Sequence, residues 1–303
     1  MIIAIDHIIH AVSDLAAATE DYATLLGRPP SWRGRHPAYG TANALFRLDN
    51  TYVELLAPVG EGPIADMLRP RLETQGEGPV GLVLGADDAD AAHARLREAG
   101  LAPATPAEGS GVNEDTGAER RWRNVFLPEE KTGGLFLFVI QHLSPPDALP
   151  MTNPADLGAA PAAAVRALDH VVVETDDPEG AARLFGEEGM GVRLALDQTF
   201  EDLGARLMFF RVGQATVEVA HPMAGRPGLS KRETWRPGAT HHFWGQSFRV
   251  DDIDAAHARL EAAGVPMSPV RPGRKPGTRV ATVKGRTHGA PTLIIGPAGD
   301  ASP

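Results

Sequence analysis

The chain repeats itself, and the repeat limits its possible folds more than any other feature. LDHVVVETDDPEGAARLFG at 168–186 echoes IDHIIHAVSDLAAATEDYATLLG at 5–27. QATVEVAHP at 214–222 echoes NTYVELLAP at 50–58, and FRVDDIDAAHARLEAAG at 248–264 echoes VLGADDADAAHARLREAG at 83–100. The order is kept, and the pairs His7/His170, Glu54/Glu218 and His93/His257 hold an offset of 163–164 residues. A register kept over three landmarks marks a tandem duplication. A chain of 303 residues has room for two domains, each with its own core. Between the copies, residues 144–165 carry repeated prolines and small residues that oppose a strand or long helix. The expected division is therefore a first domain over 1–143, a linker over 144–165 and a second domain over 166–303.

Each copy contains a weaker repeat of its own. An alternating apolar run meets an acidic turn, then an Ala/Leu-rich helix ending at Gly, then two or three further strands. In VGLVLGADDADAAHARLREAG at 80–100, alternation predicts the strand, the Asp cluster the helix start and Gly100 its stop. Four such units begin near residues 1, 79, 167 and 243. The pattern is β-α-β-β-β, and the expected class is α+β.

Composition removes several functions. A net charge of −10 argues against a nucleic-acid partner, because such binding rests largely on clustered Lys and Arg. No cysteine is present, so a metal would have to be held by His, carboxylate or neutral oxygen. Hydrophobic and charged fractions of 43% and 22% are those of a water-soluble globular chain, without a membrane partner. MIIAIDHIIHAVSD lacks the basic start and apolar run of a secretion signal, so a cytoplasmic location is expected. A monomer and a homodimer both remain open.

Taken together, the DH strand starts, the GTAN segment at 40–43 before YVE at 52–54, and the VDDIDAA helix start resemble the vicinal oxygen chelate superfamily. That group contains glyoxalase I, extradiol dioxygenases and bleomycin-resistance proteins. The resemblance covers nearly the whole chain outside the linker. It implies two half-open barrels, each made of two βαβββ modules, four modules in all. It further implies a divalent metal (Fe, Mn, Zn or Ni) held by a His on a unit's first strand and a Glu on its last. Carried onto this sequence, those ligands are His7 and Glu54 in the first copy and His170 and Glu218 in the second. The second unit of each copy departs from the pattern, with Gly81 and Gly245 at the His position and apolar residues near Phe138 and Leu293 at the carboxylate position.

Two protein ligands are fewer than a mononuclear catalytic site generally uses, which leaves three arrangements. His142, which has the strand parity of Phe138, could complete a set, with His242 as the weaker choice because its parity is opposite to position 245. The first and third units could combine His7, Glu54, His170 and Glu218. Alternatively the metal is dispensed with, and Glu54 or Glu218 acts as a general base in an apolar cavity. Arg35, His36, Thr41 and Asn43 gather hydrogen-bonding groups beside the inward strand, and Arg123, within RRWRNVF, could offer a cation to an anionic substrate. His10, three residues from His7, faces the other way and reads as structural; His93 and His257 lie on polar helix faces. The expected function is an enzyme acting on a small organic molecule by isomerase, lyase or ring-opening dioxygenase chemistry, without a nucleotide cofactor. A metal-free small-molecule binding protein of the bleomycin-resistance sort is the alternative.

Overall fold

The computed structural model describes residues 1–225, 228–229 and 237–298. Its first half builds β1 (Ile2–Ala11), α1 (Leu15–Leu26), β2 (Trp32–His36), β3 (Thr41–Arg47) and β4 (Tyr52–Pro58). These are followed by α2 (Pro63–Gln75), β5 (Gly78–Ala86), α3 (Ala89–Glu98), β6 (Ala107–Asn113), β7 (Glu119–Phe126) and β8 (Phe136–His142). The second half repeats the plan with β9 (Ala167–Thr175), α4 (Pro178–Phe185), β10 (Arg193–Phe200), β11 (Ala205–Val212) and β12 (Ala215–Pro222). It ends with β13 (His241–Arg249), α5 (Ile253–Ala262), β14 (Arg271–Pro272), β15 (Thr278–Val283) and β16 (Thr292–Pro297). The four βαβββ units are thus present. Between the halves, the proline-rich segment makes only short 3-10 turns.

The acidic turn has the same job in every unit. Asp14, Asp88, Asp177 and Asp252 each N-cap the following helix, the side chain accepting from backbone N–H groups of its first turn. Such caps satisfy donors that the helix itself leaves unpaired. The helix α2 has no counterpart in the βαβββ pattern. Pro63 at its start suits the first turn, and its apolar face places Ile64, Met67, Leu68 and Leu72 against the interior of the first sheet.

The two sheets close differently. In the first, β1 pairs in parallel with β4 and antiparallel with β5, and the ring runs β1-β4-β3-β2-β6-β7-β8-β5 as a closed barrel. The seam is the antiparallel pairing of β2 with β6, Gly34 opposite Asn113 and Arg35 opposite Val112. Gly34 is required there, because a Cβ would collide with the Trp32 indole and stand 2.9 Å from the Val112 carbonyl. The second sheet has the matching order β10-β11-β12-β9-β13-β16-β15-β14 and stays open. Its β14 has two residues, too few to form the corresponding seam with β10, whose residues are almost all exposed.

One apolar core runs along the outer faces of both sheets and the helices that cover them, including Tyr22, Phe46, Phe185, Phe210 and Phe248. The two sheet interiors form separate clusters. The halves are joined by buried polar contacts: Arg28 donates to the Val165 carbonyl at 2.6 Å, and the Arg259 guanidinium to the carbonyls of Thr24 and Leu25. His10 lies in this joint, fully buried, 3.0 Å from Gln246 Oε1 and 3.1 Å from the Tyr22 hydroxyl. Burial there pushes its pKa down to about 4, so it is a neutral packing element.

Candidate functional site

Alternation on β1 sends His7 and Ile9 into the first barrel, and parallel pairing sets Tyr52 and Glu54 of β4 beside them. His7 Nε2 lies 3.2 Å from Glu54 Oε2, and Asn43 Nδ2 on β3 donates to Glu54 Oε1 at 2.7 Å. Behind the imidazole, His7 Nδ1 donates to Asp6 Oδ1 at 2.7 Å, and His142 Nε2 donates to Asp6 Oδ2 at 2.9 Å. The result is a continuous chain, His142–Asp6–His7–Glu54–Asn43, running from the barrel end into its interior. The Tyr52 ring stacks on His7 at 4.4 Å, and Phe138 meets the imidazole edge-on at 6.0 Å. An imidazole so packed and so hydrogen-bonded has one orientation.

Electrostatics follow from this chain. Burial works to raise the Asp6 pKa, but hydrogen bonds from His142 and His7 hold it well below the ordinary carboxylate range. Burial likewise opposes ionisation of both members of the central pair. The Asp6 and Glu54 carboxylates nevertheless raise His7, while His7 and Asn43 lower Glu54. Both shifts favour the charged forms, an imidazolium beside a carboxylate. Burial pushes the Tyr52 phenol well up and His36 down, keeping both neutral.

The cavity above the pair measures about 80 Å³. Its walls are largely aromatic, from Trp32, Tyr52, Trp122, Phe126, Phe136 and Phe138, with Ile64 of α2 at the edge. Its polar points are His36, Thr41, Asn43, Arg120 and Asn124. His36, Thr41 and Asn43 are therefore gathered with His7 and Glu54, His36 Nδ1 lying 3.2 Å from the Thr41 hydroxyl.

Three other residues expected in the site stand elsewhere, and each is a correction to its expected position. Arg35 has the opposite parity to Trp32, Gly34 and His36 and pairs with Glu114 outside the barrel. Arg123 also points outward, its guanidinium forked onto Asp90 of α3 at 2.7 and 2.9 Å. The inward face of β7 carries Arg120, Trp122 and Asn124 instead. His142 keeps the parity of Phe138 and Ile140 but stands at the strand end, so it reaches Asp6 and does not line the cavity. Sequence reasoning missed Asp6, Arg120, Trp122 and Asn124. The D-H pair repeated at 169–170 was a usable signal for Asp6; for β7, alternation offered two faces and no means of choosing between them.

The second sheet repeats the dyad more loosely. His170 Nδ1 donates to Asp169 Oδ2 at 2.8 Å, and His170 Nε2 is 3.6 Å from Glu218 Oε2. Where Asn43 faces the strand of Glu54, the matching register position is Leu207 on β11, so Glu218 receives no amide donor. Burial accordingly raises the Glu218 pKa, only partly offset by His170. His170 is raised by Asp169 and Glu218 against burial. The cavity is about 670 Å³, with Phe200, Leu207, Phe209 and Trp244 on its walls and Arg271, Arg274 and Lys275 at its edge.

His7 and Glu54 line one cavity, and His170 and Glu218 line another, so the pairing of first and third units does not assemble. His242 lines a small pocket with Arg71 and Gln75, away from His170. For a divalent metal, the first cavity offers His7 and Glu54, with His36 beyond Asn43, and the second offers His170 and Glu218. The register partner of His7 on the neighbouring strand β5 is Val83, which pairs in turn with Phe138 on β8, and neither side chain carries a donor. Among the described residues no group of three or more His, Asp or Glu side chains is arranged to hold a metal ion. This donor set does not fit a catalytic metal, which generally takes three protein ligands.

Compared with known proteins, residues 5–166 match the family model of a glyoxalase-like domain, and residues 169–282 that of the glyoxalase/bleomycin resistance protein/dioxygenase superfamily. Over 105 residues, the chain is 37% identical to an ethylmalonyl-CoA/methylmalonyl-CoA epimerase of Cereibacter sphaeroides, covering 33% of this chain and 73% of that protein. The fold is shared with a mutant 4-hydroxymandelate synthase from Streptomyces coelicolor at a TM-score of 0.66 and 16% identity, covering 98% of this chain and 93% of that one. A hypothetical protein from Staphylococcus aureus aligns at a TM-score of 0.62 and 13% identity, over 97% of this chain and all of that one. No helix among the described residues is long and apolar enough to cross a membrane.

Proposed function

This chain belongs to the glyoxalase-like branch of the glyoxalase/bleomycin resistance protein/dioxygenase superfamily, and from that membership we propose that its first barrel is a proton-transfer enzyme of the isomerase or lyase type. The substrate is a small organic molecule with an acidic C–H next to a carbonyl. One observation carries the reading: Glu54 is buried at the cavity wall and paired with a His7 that Asp6 and Tyr52 hold in one orientation.

In the proposed step a Glu54 oxygen takes the proton from the substrate carbon, and the C–H electron pair moves onto the carbonyl oxygen as an enolate. His7 Nε2, protonated and backed by Asp6, donates a hydrogen bond to that oxygen as charge builds on it. Glu54 then gives its proton back to the same carbon or to a neighbouring carbon on the same face, or a leaving group departs from the enolate. Aromatic walls exclude water and strengthen each of these interactions. The epimerase match is consistent with chemistry of this kind and puts a 2-substituted acyl thioester among the compounds to try.

The test is solvent exchange. Pyruvate, phenylpyruvate and methylmalonyl-CoA are incubated with the protein in D2O, and loss of the α-proton signal is followed by NMR. At least one compound should exchange, and Glu54→Gln should slow that exchange at least ~100-fold, the lower range for a positioned general base. Binding without exchange in the wild type would instead make the barrel a sequestration site. Exchange unchanged in Glu54→Gln would remove Glu54 from the mechanism.

A further inference from the structure

Arg120 is the feature of the first barrel that the proton-transfer reading leaves unused. It stands on the inward face of β7, is 6% exposed and lines the cavity. Among the described residues it forms no ion pair. Its guanidinium carbon lies 5.5 Å from the Trp32 ring centre and 5.6 Å from that of Tyr52, with a hydrogen bond to the Tyr52 side chain. Aromatic faces hold a guanidinium in place but leave most of its five N–H donors unmet. A buried cation is costly unless an anion meets it.

The other charges of the site do not supply that anion. Glu54 is engaged by His7 and Asn43, and Asp6 by His7 and His142, so each carboxylate already has its partners. Among the described residues, neither carboxylate reaches Arg120 in a direct ion pair. Further along the same face of β7, Asn124 Oδ1 is buried without a hydrogen-bond partner, as is Asn43 Oδ1 on β3. Both residues line the same cavity. Among the described residues, a cation without a carboxylate partner and two acceptors without donors thus stand within walls that are otherwise aromatic.

We propose that the first barrel selects a small carboxylate with a flat apolar body, its carboxylate bound by the Arg120 guanidinium and its body lying between the aromatic walls. A guanidinium meets a carboxylate through two parallel hydrogen bonds, and the flat body suits stacking against Trp32, Tyr52 and Trp122. A hydroxyl or enol on that body would donate to Asn124 Oδ1. The inference rests on the first barrel being the working site.

The test compares acids with amides of the same shape by calorimetry: crotonate against crotonamide, and benzoate against benzamide. At least one acid should bind at least ten-fold more tightly than its amide. Arg120→Met should bring that ratio close to one, and Arg120→Lys should keep part of it. Equal binding of acid and amide, binding of neither acid, or a ratio that survives Arg120→Met would overturn the proposal. Thermal unfolding of each variant separates a lost anion site from a lost fold. Glu54→Gln distinguishes the two readings. If it abolishes exchange and keeps the acid preference, both stand; if the acid preference is present while wild-type exchange is not, the anion site stands without the proton transfer.

Discussion

The two sheets place the same dyad on the same pair of strands, His7 with Glu54 at 3.2 Å and His170 with Glu218 at 3.6 Å, yet surround it in opposite ways. In the first, a closed ring, an added helix α2 and an Asn43 donor leave a tight cavity of about 80 Å³ around a carboxylate held toward its ionised form. In the second, a missing seam leaves about 670 Å³, and Leu207 replaces the amide, so the carboxylate is pushed toward its neutral form. The difference teaches that duplication preserves a strand pattern more readily than a site. A dyad is set by two strands, whereas its basicity is set by what the third strand and the closure of the ring bring to it.

The largest effect should come from changing each carboxylate separately. If the first barrel alone works, Glu54→Gln removes at least ~100-fold of the exchange rate while Glu218→Gln changes it less than about three-fold. Equal losses would show that both sheets are active and that the tighter cavity is not what matters. Asp6→Asn sharpens the same comparison. It keeps the shape but weakens the hold on His7 Nδ1, so the rate should fall by ~10-fold or more with substrate binding little changed.

Cavity size gives the next contrast. The dye 1-anilinonaphthalene-8-sulfonate has a flat apolar body and one sulfonate, matching the aromatic walls and the Arg271, Arg274 and Lys275 edge of the open sheet. It is too large for the closed barrel. Leu207→Trp, which fills the open cavity, should weaken dye binding by ~10-fold, and Ile64→Trp at the mouth of the closed barrel should leave it unchanged. Fluorescence titration reads both, and a dye that responds to Ile64→Trp alone would reverse the assignment of the two cavities.

Much of the fold was legible because its signals are local and repeated. Each helix start is an Asp that caps its own first turn, and each inward His and Glu sits at a fixed place in an alternating strand. The helix α2 was not, because it has no partner in the repeat and Pro70 breaks its pattern. In the site, the superfamily resemblance points to His7 and Glu54, and the hydrogen-bonding groups gathered beside the inward strand point to His36, Thr41 and Asn43 but also to Arg35, which strand parity turns outward. Arg120 and Arg123 could not be told apart this way, since β7 alternates polar residues on both faces. Which face looks inward is decided by pairing with β8, Asn124 opposite Ile140 and Trp122 opposite His142, a contact between strands well separated in the chain. Whether a ring closes is equally non-local, resting on a two-residue match at Gly34 and Arg35.

The smallest contrast is in the acid dependence of stability, and its sign differs between the two carboxylates. Glu54 has a folded pKa below its unfolded value, so its contribution is present above about 4.5 and is lost as pH falls through the folded value. Glu218 has a folded pKa above its unfolded value, so its contribution is present below about 4.5 and is lost as pH rises through the folded value. At pH 7, therefore, Glu54→Gln should lower the unfolding temperature and Glu218→Gln should raise it, each by a few degrees, on the order of 1 kcal/mol for a domain of this size. On acidification the Glu218 difference should shrink first, as pH falls through a folded value above about 4.5, and the Glu54 difference only at lower pH, through a folded value below it. The histidines bound the other side. His7 and His170 are both raised, so their contributions are complete below about 6.5 and fade as pH rises through the folded values. Removing Glu54 also removes one of the two carboxylates that raise His7, so the alkaline loss in Glu54→Gln should begin at lower pH than in the wild type. Calorimetric scans from pH 4 to 9 measure all of this, and a Glu218→Gln protein less stable than wild type at pH 7 would mean that the open sheet holds its carboxylate as firmly as the closed one does.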